Sequence, residues 1–181
     1  MNSYSDEGII IKRSNFGEAG KLITAFTSNH GKVTLKAIGI RKISSKQAGS
    51  LELFNHIKFH AVQGRGELEV LTEVQLIESH PSWRKHLGRI TLAFQLCEVI
   101  DKLTPDHQPH PEIFEILKSS LLEIGNLKID WKLKIENWKL EILRELGYWS
   151  KEQEFQSDID KYMEELINRP LHSPKLLSKL K

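Results

Sequence analysis

Cysteine is nearly absent: the 181 residues contain one, Cys97. A single thiol can neither close an internal disulfide nor build a cysteine zinc site, so the expected compartment is the reducing cytoplasm. No stretch approaches the roughly 18 consecutive apolar residues of a membrane span, and the polar opening Met1-Asn2-Ser3-Tyr4-Ser5-Asp6-Glu7 is unlike a secretory signal. A membrane partner is therefore not expected. Catalytic motifs are missing too. There is no nucleophile elbow, no Walker motif and no isolated pair of acids, and Gly64-Arg65-Gly66 is too short to cradle phosphate. His107-Gln108-Pro109-His110 after Asp106 offers three potential ligands on a proline-stiffened connector, with no fourth ligand evident. The sequence predicts no enzyme, no small-molecule substrate, no cofactor and no metal.

What is present is a soluble composition, 39% hydrophobic and 28% charged, long enough for one large domain or two small ones. The net charge of +2 hides a strong asymmetry: residues 8–66 hold ten Lys or Arg against two acids, Glu18 and Glu52. The last 14 residues, 168–181, hold four basic residues and no acid. Acids normally intersperse a solvated basic face, so this asymmetry points to a polyanionic partner.

Up to about residue 78 the apolar positions alternate. Ile9-Ile10-Ile11 is a short β-branched run. Leu22, Thr24 and Phe26 alternate with Ile23 and Ala25. Val33, Leu35 and Ala37 alternate with Lys32, Thr34 and Lys36. Ile57, Phe59 and Ala61 alternate with His56, Lys58 and His60, and Leu68, Val70, Thr72, Val74 and Leu76 close the series. Period two with breaks at Asn29-His30-Gly31 and Gln63-Gly64-Arg65-Gly66 predicts strands joined by tight turns. Five strands in so short a span predict a small closed barrel of the OB type. The alternation places Lys32 and Lys36 on one outward face, and His56, Lys58 and His60 on another.

After Pro81 the period becomes helical. Trp83, Leu87, Ile90, Phe94 and Cys97, widened by Leu92, Leu96, Val99, Ile100 and Leu103, predict a central helix ended by Pro105. A second helix opens near Pro111, buries Ile113, Leu117, Leu121 and Ile124, and stops at Gly125. Asp130 is the expected cap of a third, with Trp131, Ile135, Trp138, Ile142 and Leu146 on one face and Gly147 at its end. Ser157 and Asp160 have capping-box spacing for a fourth, closed before Pro170, and Ser173-Pro174 starts a short last one. The expected fold class is α+β multidomain: an OB-type barrel over residues 1–79, then an all-α domain over 80–181.

The segment Gly39-Ile40-Arg41-Lys42-Ile43-Ser44-Ser45-Lys46-Gln47-Ala48-Gly49-Ser50 links two strands and is basic and rich in small residues. Arg41, Lys42 and Lys46 there can follow a phosphate backbone. With Lys12, Arg13, Lys32, Lys36, Lys58 and Arg65 they form the expected nucleic-acid-binding set. Stacking aromatics are scarce. Phe16 sits in a glycine-flanked loop, whereas Phe26, Phe54 and Phe59 fit the core. Many cations with few platforms predict backbone binding that ignores base sequence.

Several segments, in order, resemble the RecO family of bacterial recombination mediators. They are Gly8-Ile9-Ile10-Ile11-Lys12, Phe16-Gly17-Glu18 ahead of Lys21-Leu22-Ile23-Thr24-Ala25-Phe26-Thr27, His30-Gly31-Lys32, the basic run from Gly39 with Gly49-Ser50-Leu51, and Gly64-Arg65-Gly66-Glu67-Leu68. The likeness continues more loosely through Leu140 to Leu146 with Gly147-Tyr148, and Arg169-Pro170-Leu171-His172-Ser173. The resemblance implies an N-terminal OB fold and a helical C-terminal domain. It implies a non-enzymatic, nucleoid-associated protein that binds single- and double-stranded DNA, anneals strands and helps load recombinase onto strands covered by single-strand-binding protein (SSB). Implied partners are RecR-like proteins, sometimes RecF, and the acidic tail of an SSB-like protein. For that tail, Arg84, Lys85 and Arg89 beside Leu87 and Ile90, or Lys132, Lys134 and Lys139 beside Trp131 and Trp138, are the candidate cations. Three departures stand out. Many members carry a four-cysteine zinc module where residues 148–158 here have no cysteine, Gly20 lies near where an acid is typical, and the chain is shorter than typical members. Two other readings stay open: a protein-interaction adaptor whose basic face meets an acidic protein, and a general RNA-binding OB protein.

Overall fold

A computed structural model describes residues 3–17, 20–38, 49–64, 68–126 and 131–178. By internal contacts the chain divides into two compact units, Met1–His80 with Pro105–Phe114, and Pro81–Thr104 with Glu115–Lys181.

The first unit is a closed five-stranded barrel: β1 (Ser3–Phe16), β2 (Gly20–Thr27), β3 (Gly31–Ala37), β4 (His56–Gln63) and β5 (Glu69–Glu78). The strands close in the order β1-β2-β3-β5-β4, with β3 and β5 parallel and every other pair antiparallel. This is the OB-type barrel expected from the alternation. The first strand is far longer than its β-branched centre suggested, because it serves two neighbours. Its first half pairs with β4 and its second with β2, and Gly8 faces Ile57 on one side and Thr27 on the other. A Cβ at Gly8 would come within 3.2 Å of both Ala25 and Thr27 side chains, so the crossover point tolerates no side chain without movement. A bulge between Ile10 and Lys12 adds the local bend that closure requires.

Ile10, Ile23, Ala25, Val33, Leu35, Ile57 and Phe59 fill the barrel. Each large one contributes about 1.5–3 kcal/mol by leaving water. Leu51, from the segment between β3 and β4, joins this core. That segment is tied to the bulge: the Ile10 N–H donates to the Asn55 carbonyl and the Phe54 N–H to that of Ile10. The turn after β2 is organised by buried Asp6. Its carboxylate accepts from Ser28 Oγ at 2.7 Å, Asn29 Nδ2 at 2.8 Å, His30 Nδ1 at 2.6 Å and the backbone N–H groups of Glu7 and Asn29. Burial alone would raise the Asp6 carboxyl, but bonds from His30, Ser28, Asn29 and Glu7 outweigh it and hold it below the ordinary aspartate range. Sequence had marked the turn but gave no sign that an acid 23 residues upstream anchors it.

The second unit holds α1 (Leu87–Leu103), most of α2 (Pro111–Ile124), α3 (Trp131–Glu145), α4 (Ile159–Ile167) and α5 (Ser173–Ser178). Trp83 lies before α1 rather than on it, buried, its indole N–H donating to the Leu121 carbonyl at 2.9 Å. The buried stripe of α1 runs through Leu92, Leu96, Val99 and Ile100, while Leu87 and Phe94 are exposed. The apolar stripe expected to include them is therefore rotated. Likewise Ile135, Trp138 and Ile142 of α3 are buried but Trp131 is exposed. Gly147, at φ 77°, closes α3 in a Schellman arrangement, with Tyr148 N–H on Leu143 O and Gly147 N–H on Arg144 O. The cap of α4 is Asp158, whose side chain accepts from the Lys161 N–H at 3.0 Å, one residue later than the expected Ser157. The expected cap at Asp130 lies outside the described residues. Among the described residues, no helix is long and apolar enough to cross a membrane.

Candidate nucleic-acid interface

Register decides which side chains share a surface. On the outer side of β1, β2 and β3, Lys12 faces Thr24, which faces Thr34, and Ser14 faces Leu22, which faces Lys36. The two threonine hydroxyls hydrogen-bond at 3.2 Å. At the edge of this sector Phe16 pairs with Gly20, and the Lys36 ammonium stands 4.3 Å from the Phe16 ring centroid, a cation–π contact. Gly20 is required there: a Cβ on it would lie 2.8 Å from the Phe16 carbonyl oxygen. Lys12 is exposed, while Phe16 and Lys36 are half-buried. This is a shallow polar face with two cations and one ring, suited to phosphates and an unpaired base.

The other expected cations among the described residues do not gather here. Lys32 has the outward orientation that alternation assigned to it but is buried, 8% exposed, because the connector crosses it. The His107 N–H donates to the Lys32 carbonyl, Lys32 Nζ lies 3.3 Å from Asp106 Oδ1, and a Cβ on Gly31 would collide with the Gln108 backbone. The outward face expected for Lys32 is thus closed to a ligand. Arg13 turns to the barrel end, where its guanidinium meets Glu52 at 2.5 Å and the Leu51 carbonyl at 3.3 Å. Lys58 is exposed on β4, between Glu7 and Gln75 in register, in a sector that also carries Glu73. His56, expected beside Lys58 on the outside, is instead buried, 3.2 Å from Glu7 and edge-on to Phe114. Arg41, Lys42, Lys46 and Arg65 lie outside the described residues.

Among the expected partner-binding cations, Lys139 is overturned. It is 1% exposed, with Nζ 2.7 Å from Gln95 Oε1 and 2.5 Å from Asp160 Oδ1. A lysine on the flank of an apolar stripe reads as a rim cation, yet here α1 and α4 supply its partners. Arg84 lies over Trp83, and Arg89 donates to the Gly125 carbonyl at 3.0 Å, closing the end of α2. Lys85 and Lys132 are exposed. Sequence reasoning missed a hollow in this unit lined by Lys102, Leu103, Tyr148, Leu166, Ile167 and Arg169. No local pattern could reveal it, since its walls come from three separate stretches.

The stretch 148–158 does not fit a zinc ion. It has no cysteine, and its place is filled by rings. Trp149, Phe155 and Tyr162 meet edge to face with centroids 4.9–5.6 Å apart, and Trp149 Nε1 and Arg144 both donate to the Gln153 carbonyl. Among the described residues no three His, Cys, Asp or Glu side chains are placed to hold a metal.

Comparison with known proteins agrees with this architecture. The family model "Recombination protein O N terminal" matches residues 1–80, and "Recombination protein O C terminal" matches residues 84–149. The chain is 34% identical over 124 residues to a DNA repair protein RecO of Myxococcus xanthus, covering 68% of this chain and 51% of that protein. It is 31% identical over 148 residues to the RecO of Symbiobacterium thermophilum, covering 82% and 58%. The chain thus spans little more than half the length of these relatives. Two family models matched in order over the barrel and the helices, with relatives about a third identical over the aligned stretches, lead to one conclusion: this chain belongs to the RecO family.

Proposed function

We propose that the protein is a non-enzymatic DNA-binding mediator of recombinational repair, which anneals strands and helps load recombinase onto SSB-covered single strands. The observation that carries the reading is the outer sector of β1–β3, where Lys12, Lys36 and Phe16 share one exposed face of an OB-type barrel. Arg41, Lys42 and Lys46, in the basic segment that follows β3 in the sequence, are assigned to DNA on the same reading. The relatives' name, DNA repair protein RecO, supports the assignment. Partners on this reading are single- and double-stranded DNA, with SSB-like and RecR-like proteins. An acidic tail ending in an apolar residue and a free carboxylate needs an apolar recess with cations at its rim. The hollow of Lys102, Leu103, Tyr148, Leu166, Ile167 and Arg169 sets two cations beside apolar side chains, whereas Lys139 is buried.

The test is a salt titration of DNA affinity by fluorescence anisotropy. Binding through phosphates loses affinity with a log–log slope of about −0.7 per contact on single strands. Lys12→Ala and Lys36→Ala should each flatten that slope by about one contact. Salt-insensitive binding, or slopes unchanged in both variants, refutes the placement. Competition with RNA of equal length separates a repair protein from an RNA-binding one.

A further inference from the structure

The Lys36–Phe16 pair stands at the end of the outer face of β1–β3. One edge of the ring lies against the backbone of Gly20, where a Cβ would be 3.6 Å from Phe16 Cδ1. Over the ring stands the Lys36 ammonium, 4.3 Å from the centroid. Gly17 follows at φ 59°, a left-handed turn that ends the strand directly after the ring. The half-buried ring therefore stands at the lip of the barrel, with Thr24, Thr34 and Lys12 along the same face. A single cation–π contact is a weak tie beside a stacked base, so a flat group that stacks can displace the lysine. A displaced Lys36 remains one side-chain length from the ring, within reach of the phosphate next to any base seated there.

We propose that Phe16 is the seat of one unpaired base and that Lys36 is its placeholder, moving to the adjoining phosphate when a strand binds. The inference rests on the proposed DNA-binding reading and deepens it by naming the discriminating feature, an exposed base face. Duplex DNA keeps its bases stacked on one another and offers the ring nothing, while a single strand offers a base at every step. Stacking is indifferent to base identity, because every base has a π-face. The remaining approach along β3 is blocked at Lys32 by residues 106–108, which confines the strand to the Phe16 end of the sector.

The experiment compares full-length wild type with Phe16→Leu and Phe16→Trp on three ligands of equal length: oligothymidylate, the same strand with abasic residues throughout, and a duplex. Leucine keeps the apolar bulk and removes the π-face. The expected result is a loss of about 5- to 50-fold for oligothymidylate with Phe16→Leu, and no change for the abasic strand or the duplex. Phe16→Trp should bind oligothymidylate at least as tightly as wild type, and its emission in excess of the four native tryptophans, taken against wild type, should be quenched by that strand and not by the abasic one. Equal losses on all three ligands, or no loss on oligothymidylate, overturn the stacking seat while DNA binding stands. Wild type that binds none of the three overturns the DNA-binding reading itself. A melting temperature for each variant separates misfolding from lost contact, and the tryptophan signal reports the seat even where Phe16→Leu is unstable.

Discussion

Two buried charged side chains, Asp6 in the barrel and Lys139 in the helical unit, are satisfied in opposite ways. In the barrel the buried acid, Asp6, is satisfied by a turn: hydroxyl, amide, imidazole and two backbone N–H groups converge on it from residues 7 and 28–30. In the helical unit the buried charge is a cation, Lys139, and its partners Gln95 and Asp160 come from two other helices. One network defines a local shape, and the other joins three elements distant in sequence. The contrast teaches that a charged residue cannot be assigned to the surface by its type. It also predicts different penalties when each network is broken.

The largest effect belongs to the Lys139 pair, and it is asymmetric. Lys139 is 1% exposed while the Asp160 side chain is 35% exposed. Asp160→Asn leaves the buried ammonium with neutral amide oxygens and no counter-charge, which should cost about 3 kcal/mol in urea unfolding. Lys139→Met strands a carboxylate that already reaches water and leaves apolar packing intact, so it should cost less than half as much. Equal costs for the two would mean that the site admits solvent.

Asp6 comes next. Asp6→Asn keeps the size but cannot accept from all five donors, and a loss of about 2 kcal/mol is expected at neutral pH. The pH dependence gives a sharper measure. The folded carboxyl is held below its ordinary value, so its stabilising effect is present above the unfolded pKa and is lost as pH falls through the folded one. Glu98 behaves the same way. Its burial opposes ionisation, but bonds from the Ser173 hydroxyl and the His172 and Ser173 N–H groups hold its carboxyl low. Wild-type stability should therefore fall in acid below about pH 4, and that limb should be shallower in Asp6→Asn. An unaltered acid limb would show that Asp6 titrates normally.

These two networks mark the limit of what the sequence disclosed. Alternation revealed the strands, their turns and most core positions, each a local consequence of a chain buried on one side; in β5 it gave the wrong phase, since Leu71 is buried while Thr72 and Leu76 are exposed, across a register shift opposite His60 and Ala61. Helical spacing found three apolar faces, but the face on α1 is rotated and the face on α3 runs one residue too far, to Trp131. Leu87 and Trp131 satisfy the period while packing leaves them exposed. The candidate site was half legible. Lys12, Lys36 and Phe16 were each picked out, but their meeting depends on the register of three strands, which no single segment encodes. Lys32 and Lys139 misled for a shared reason: the acids that hold them, Asp106 and Asp160, are 74 and 21 residues away.

The smallest expected effect tests the barrel side of the comparison at Lys32. Lys32 and Lys36 sit on the same face of one strand, four residues apart, and composition gives no reason to rank them. The structure does: one reaches the Phe16 ring and the other lies beneath the connector. Asp106 is 68% exposed, so the Lys32 ion pair is screened and should contribute no more than about 1 kcal/mol. Lys32→Ala should therefore lower stability slightly and leave the salt slope of DNA binding unchanged, whereas Lys36→Ala should change the slope by about one phosphate contact. If Lys32→Ala flattens the slope as much as Lys36→Ala does, the connector lifts when DNA binds. The interface would then run the full length of β3, and the confinement of the strand to the Phe16 end would be wrong.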